Sequence, residues 1–151
     1  MKLRMNSPAI IMNRVGATLL DMFIISLVYG VIVAILTGNY KDIFARFGVS
    51  TGDYRFDLII VCILMFLYFI LLPLFWNGLT VGKKVTRLRI VKMNGERLDF
   101  VTLFVRLLVI IVPSVFLLGI PVIISAYMIM FREDARGYHD LIARTRVKSS
   151  L

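Results

Sequence analysis

The sequence predicts an all-α transmembrane fold, a helical bundle of three to four membrane segments with a small cytoplasmic β-hairpin. Hydrophobic residues make up 60% of the 151 and the mean hydropathy is +0.89, well above the near-half apolar content of a soluble domain. The nine acidic and eighteen basic residues lie almost wholly outside three long apolar stretches. A bilayer imposes that segregation, because a charge in hydrocarbon is costly. At this length one domain is expected, covering residues 9 to 148, with too little remaining chain for a separate enzyme module.

The first stretch, residues 15 to 36, is 22 residues long, and at about 1.5 Å per residue it crosses a hydrocarbon core of about 30 Å. It is too long for the apolar region of a signal peptide and reads as a retained helix. The second, residues 58 to 76, ends in Phe75 and Trp76, side chains suited to the headgroup interface, and Pro73 marks a bend or last turn there. The third, residues 101 to 131, is too long for one comfortable span and is interrupted by Pro113, Gly119 and Pro121. The expected division falls at Pro113, giving segments 101 to 112 and 114 to 131. Between the second and third stretches, alternation around Leu88 and Ile90 followed by Asn94-Gly95 predicts a β-hairpin over residues 87 to 99.

Lysine and arginine set the orientation. Lys2, Arg4 and Arg14 precede the first span, Lys83, Lys84, Arg87, Arg89, Lys92 and Arg97 fill the 77 to 100 connection, and Arg132, Arg136, Arg144, Arg146 and Lys148 lie in the tail. The loop after the first span balances Lys41, Arg46 and Arg55 with Asp42, Asp53 and Asp57. The positive-inside tendency therefore places the N-terminus and the 77 to 100 connection in the cytoplasm of a multi-pass cell (plasma) membrane protein. A cytoplasmic tail requires the third stretch to enter the membrane and return.

Asp21 stands out as an ionisable group about two turns inside the first span. Arg14, seven residues earlier, lies within about 20° of the same helical face and about 10 Å along the axis. A straight helix holds the two too far apart for a short ion pair, and Arg106 of the third stretch is an alternative partner. Ser26, Gly30, Ala34 and Gly38 form a small-residue stripe on roughly the opposite face, suited to close packing of another helix.

Other chemistry finds little support. The segment Gly78-Leu-Thr-Val-Gly82-Lys83-Lys84 has the wrong spacing for a phosphate-binding loop and no magnesium-binding hydroxyl after the lysine. His139, near Glu133, Asp134 and Asp140, has no second histidine at metal-ligand spacing, and a solvated or salt-bridged juxtamembrane cluster is expected there. No serine or cysteine has a recognisable base, so neither an enzyme nor a cofactor is expected, and Cys62 reads as a small hydrophobe. The net charge of +9 is spread beside membrane segments, which argues against nucleic acid as a partner.

Arg14 and Asp21 in Asn-Arg-Val-Gly-Ala-Thr-Leu-Leu-Asp, the central Gly78-Leu-Thr-Val-Gly82-Lys83, Leu88-Arg-Ile-Val and Asn94-Gly-Glu-Arg-Leu, and Asp140 in Arg136-Gly-Tyr-His-Asp-Leu-Ile-Ala-Arg occur in that order. Together they resemble the RDD family of small prokaryotic membrane proteins. One departure is Arg144, where a glycine is expected. The resemblance implies either a transporter of sodium or another monovalent cation against protons, or a module associated with other membrane proteins. In the first reading Asp21 is the ion site, since a proton and a cation each neutralise the same buried carboxylate. Three or four segments rarely enclose a pathway, so that reading needs a homo-oligomer. In the second, a non-catalytic module binds or regulates another membrane protein, and Arg14, Asp21 and Asp140 are structural polar locks, with arginine and tail aspartate tying the cytoplasmic tail to the bundle. The bilayer is a partner in both.

Overall fold

The computed structural model describes residues 8–43, 48–132, 134 and 136–149. Lys2, Arg4, Arg46 and Glu133 lie outside the described residues. Helix α1 runs Pro8–Thr37 and α2 runs Tyr54–Phe75, joined through a 3-10 turn at Tyr40–Ile43. A short helix α3, Val81–Val85, leads into strand β1, Leu88–Lys92. Helices α4, Phe100–Phe116, and α5, Ile120–Phe131, form the third apolar stretch. The tail holds a short helix α6, Tyr138–Ile142, and strand β2, Thr145–Ser149.

Two helices, at Ile11–Thr37 and Tyr54–Phe75, are long and apolar enough to cross a membrane. Only 22% and 17% of their most apolar windows are buried within the chain, whereas the core helix of a soluble protein hides most of its surface. Leu19, Phe23 and Ile35 of α1 and Ile59 and Ile63 of α2 are exposed. Such apolar faces fit lipid or another protein. Tyr54 stands at the start of α2 and Trp76 just beyond its end, placing aromatic side chains at both edges of a helix about 33 Å long. Lys84 stacks its ammonium on the Trp76 ring at 4.7 Å.

Pro73 leaves α2 without one backbone donor, and the helix responds with a π turn over Leu67–Leu71, in which Leu72 N–H donates to the Leu67 carbonyl. The third stretch divides later than Pro113. That proline lies inside α4, where Ser114 Oγ donates to the Ile110 carbonyl at 2.5 Å. The break comes at Leu118 (φ 49) and Gly119 (φ 84), with Pro121 opening α5. A proline inside a helix only kinks it, whereas a left-handed glycine followed by a proline in the next first turn ends one helix and starts another.

The expected hairpin over 87 to 99 does not form. Strand β1 instead pairs antiparallel with β2, in the register Leu88↔Ser149, Ile90↔Val147 and Lys92↔Thr145. Asn94-Gly95 still turns, but the other edge of β1 is occupied, because Ile90 N–H donates to the Gly78 carbonyl at 2.9 Å. Residues 96 to 98 therefore have no strand edge to join, and Leu98 packs as a side chain on the small core of Leu88, Ile90 and Val147. Because β1 precedes α4 and β2 follows α5, this pairing holds both ends of the α4–α5 hairpin at one end of the molecule. The tip of that hairpin is apolar and open, with Phe116 and Leu118 strongly exposed.

Within the stripe on α1, Gly30 and Ala34 are buried while Ser26 and Gly38 are exposed, so only its middle is covered by this chain. Arg144, standing where a glycine is expected, takes the left-handed conformation (φ 50) immediately before β2. A side chain there costs about 1 kcal/mol in backbone strain. Arg144→Gly is accordingly expected to raise the melting temperature of the detergent-solubilised protein. A lowered melting temperature would show that the Arg144 side chain contributes more than the strain it causes.

Candidate functional site

Arg14, Ala17 and Asp21 fall at helical spacing on one face of α1, and all three are buried, at 8%, 1% and 1% exposure. The element packed on that face is α3, and the approach is close enough to exclude any side chain at Gly82. A β-carbon there would run into the Ala17 carbonyl oxygen and lie 2.7 Å from Asp21 Oδ1. A close small-residue contact of α1 is thus on its charged face, roughly opposite the stripe singled out from the sequence.

Asp21 accepts three short hydrogen bonds. Tyr68 Oη donates to Oδ1 at 2.6 Å, the Gly82 N–H donates to Oδ1 at 2.7 Å, and Thr80 Oγ1 donates to Oδ2 at 2.6 Å. Lys83 Nζ stands 3.9 Å from Oδ2. Thr80 also caps α3, its Oγ1 accepting from Lys83 N–H at 3.3 Å. The segment with the wrong spacing for a phosphate loop therefore holds an internal carboxylate with the same kind of donors, a hydroxyl and a backbone N–H at a helix start. The expected alternative of Arg106 as the partner of Asp21 is not what forms.

Arg106 binds Asp140 instead. Asp140, fully buried in α6, forms ion pairs with Arg106 through Oδ1 and with Arg14 through Oδ2, the latter at 2.5 Å. Gly137 N–H donates to Oδ2 at 3.3 Å, Thr145 Oγ1 to Oδ1 at 3.4 Å, and Arg106 Nη1 donates to Thr145 Oγ1 at 2.9 Å. Against the desolvation imposed by burial, Arg106 and Arg14 hold the Asp140 carboxyl well below the usual carboxylate range. One carboxylate thereby fastens α1, α4 and the tail together, because an unpaired buried charge costs about 3–5 kcal/mol.

His139 is buried beside this clamp rather than solvated. Its Nδ1 lies 2.8 Å from Ser125 Oγ of α5, and its Nε2 lies 3.5 Å from Asp140 Oδ1. Burial, reinforced by Arg106, pushes the imidazole down to about 3, so the ring is neutral at physiological pH. Lys83 bridges the two carboxylate sites electrostatically. Burial first, and then Arg106, push its ammonium down to about 8 while Asp21 opposes the shift. Among the described residues no group of three metal-ligating side chains occurs.

With this geometry in view, the match to a known family is specific. The model described as RDD family matches residues 8–144. The chain belongs to the RDD family. A relative, the uncharacterized protein YckC of Bacillus subtilis (strain 168), is 35% identical over 140 residues, covering 93% of this chain and 83% of the relative. No solved structure matches the chain. In this RDD protein the arginine of the first helix meets the aspartate of the tail, while the aspartate of the first helix meets the central glycine-threonine segment.

Sequence reasoning singled out Arg14, Asp21, Arg106 and Asp140 but missed Tyr68, Thr80, Gly82 and Lys83 as the surroundings of Asp21. A Thr-x-Gly at the start of a short helix was the available signal for two of them. Two glycine substitutions separate this contact from general helix effects. Gly82→Ala is expected to destabilise the protein by about 1–3 kcal/mol through overpacking. Gly16→Ala, which meets nothing within 4 Å in the middle of α1, is expected to stabilise it by about 0.5–1 kcal/mol. Equal and small effects on thermal unfolding in detergent would show that α3 does not seat on Ala17 as described.

Proposed function

We propose that this RDD membrane protein is a non-catalytic module in which two buried carboxylates lock the polar segments onto the membrane helices, leaving the outer helix faces to lipid and to another membrane protein. The observation that carries this reading is the saturation of Asp21. Three donors at 2.6–2.7 Å and a lysine at 3.9 Å already surround a carboxylate that an ion carrier would need to leave accessible. In the second lock, Asp140 is likewise held by two cations, Arg14 and Arg106.

One observation favours the transport reading. The Lys83 ammonium, held down at about 8 by burial, can lose its proton near neutral pH, and a monovalent cation can then take its place beside Asp21. The proton would leave Lys83 and the cation would bind the Asp21 carboxylate that the ammonium had neutralised, and a homo-oligomer would have to supply the rest of the pathway. The two readings separate in liposomes holding only this protein. The locking reading expects no proton flux on imposing a sodium or potassium gradient, and reduced thermal stability in Asp21→Asn. Cation-driven proton flux that Asp21→Asn abolishes would overturn it in favour of transport.

We also propose that the end of the molecule carrying the sheet and both clamps faces the cytoplasm, with a multi-pass arrangement and α4–α5 entering the bilayer and returning. This rests on the lysines and arginines gathered around α3, β1 and β2, against the balanced charges of the loop between α1 and α2. Cysteine labelling in intact cells is expected to modify Ser50→Cys from outside and Ser149→Cys only after permeabilisation. External labelling at position 149 would place the sheet on the wrong side.

A further inference from the structure

We infer that the outward face of the two-stranded sheet is a binding site for a phosphate group. The face is built of like charges. Arg89 stands directly opposite Lys148, and Arg146 follows on the same face of β2 opposite Val91. Like charges directly opposed across a strand pair repel and weaken the pairing, and on its other edge β1 is held by the hydrogen bond from Ile90 N–H to the Gly78 carbonyl. A cavity of about 310 Å³ is lined by Arg89, Val91, Arg146 and Lys148 of this face and by Glu96 and Arg97 of the turn that follows β1.

The charges in that cavity are unbalanced. Glu96 is the only carboxylate among the lining residues, and its partner is Lys92, at 3.7 Å. Lys92 is further occupied by Asp99 at 3.0 Å. Arg89, Arg97, Arg146 and Lys148 have no ion pair among the described residues, and the shielded Arg146 Nε has no hydrogen-bond partner there. A buried donor left without an acceptor is unfavourable, and a guanidinium presents its N–H groups in a fork that matches phosphate oxygens. A tetrahedral dianion or phosphodiester seated between the strands and the turn would accept from Arg146, neutralise the Arg89–Lys148 opposition and be reached by Arg97. A carboxylate has too few oxygens, and chloride has none, to meet four cations at once.

The same chemistry has two sources, a soluble phosphate and the headgroup of an anionic phospholipid. The sheet lies at the end of the molecule where Trp76 and Lys84 mark the helix edge, so both can reach it. Neither depends on whether Asp21 carries an ion. The full-length protein in a nonionic detergent is titrated with inorganic phosphate at constant ionic strength. The same protein is melted in nanodiscs of phosphatidylcholine with and without phosphatidylglycerol. Stabilisation by phosphate assigns the soluble source, and stabilisation by phosphatidylglycerol alone assigns the headgroup.

In either arm Arg146→Gln is expected to weaken binding by about tenfold or more. Arg89→Gln with Lys148→Gln is expected to raise the melting temperature without phosphate, by removing the opposed charges, and to abolish the ligand-induced rise. A charge-matched control for the double variant, Lys84→Gln with Arg87→Gln, keeps the response if the site is the sheet face. No stabilisation in either arm overturns the inference. So does a response that survives Arg146→Gln, or one that the control loses equally.

Discussion

A carboxylate removed from water must be given donors by the protein itself, and in this chain two such carboxylates dictate how the polar segments fold around the helices. Asp21 draws in a tyrosine from α2 and the start of α3. Asp140 draws in arginines from α1 and α4. Neither segment between the helices has a large apolar core of its own. Among the described residues the apolar interior of the sheet is Leu88, Ile90 and Val147, with Leu98 against them. Their placement follows from electrostatics in a partly dehydrated site, where contacts count for more than on an open surface.

The glycines of the polar segments fit that demand. Gly82 allows α3 to approach the α1 backbone closely enough for its N–H to reach Asp21. Gly137 leaves room for Ser125 and His139 and turns its own N–H toward Asp140. At Gly78 both a left-handed backbone (φ 88) and the nearby Ile90 carbonyl forbid a side chain. Each glycine brings main chain, rather than a side chain, up to a neighbouring element.

What the sequence revealed and what it concealed divide along the range of the interactions. The two long helices are local facts of apolar length, and the charges of Arg14, Asp21 and Arg106 stood out beside or within apolar stretches, whereas Asp140 was marked by the resemblance to the family's closing motif. Who meets whom was not local. Tyr68 and Thr80 lie 47 and 59 residues from Asp21, and no periodicity announces such a meeting. The alternation at Leu88 and Ile90 marked a strand correctly, yet the nearest candidate partner across Asn94-Gly95 was passed over. The main-chain edge toward it was taken by Gly78, and Val147 of the tail offered apolar burial. The division of the third stretch was visible in Gly119 and Pro121, which outrank Pro113 because they stop and start helices rather than bend one.

The pairing of β1 with β2 also orders events in time. Strand β2 and helix α6 follow α1, α2 and the α4–α5 hairpin in the chain, so a ribosome makes them after those helices. Until then Arg14 and Arg106 wait without the aspartate that joins them, and β1 lacks one of its two edges. The polar turn around Asp140 is therefore the latch of the assembly. A nascent chain stalled before residue 140 would present Arg14 and Arg106 without their carboxylate and β1 with an open edge, a chemical signature of the unlatched state.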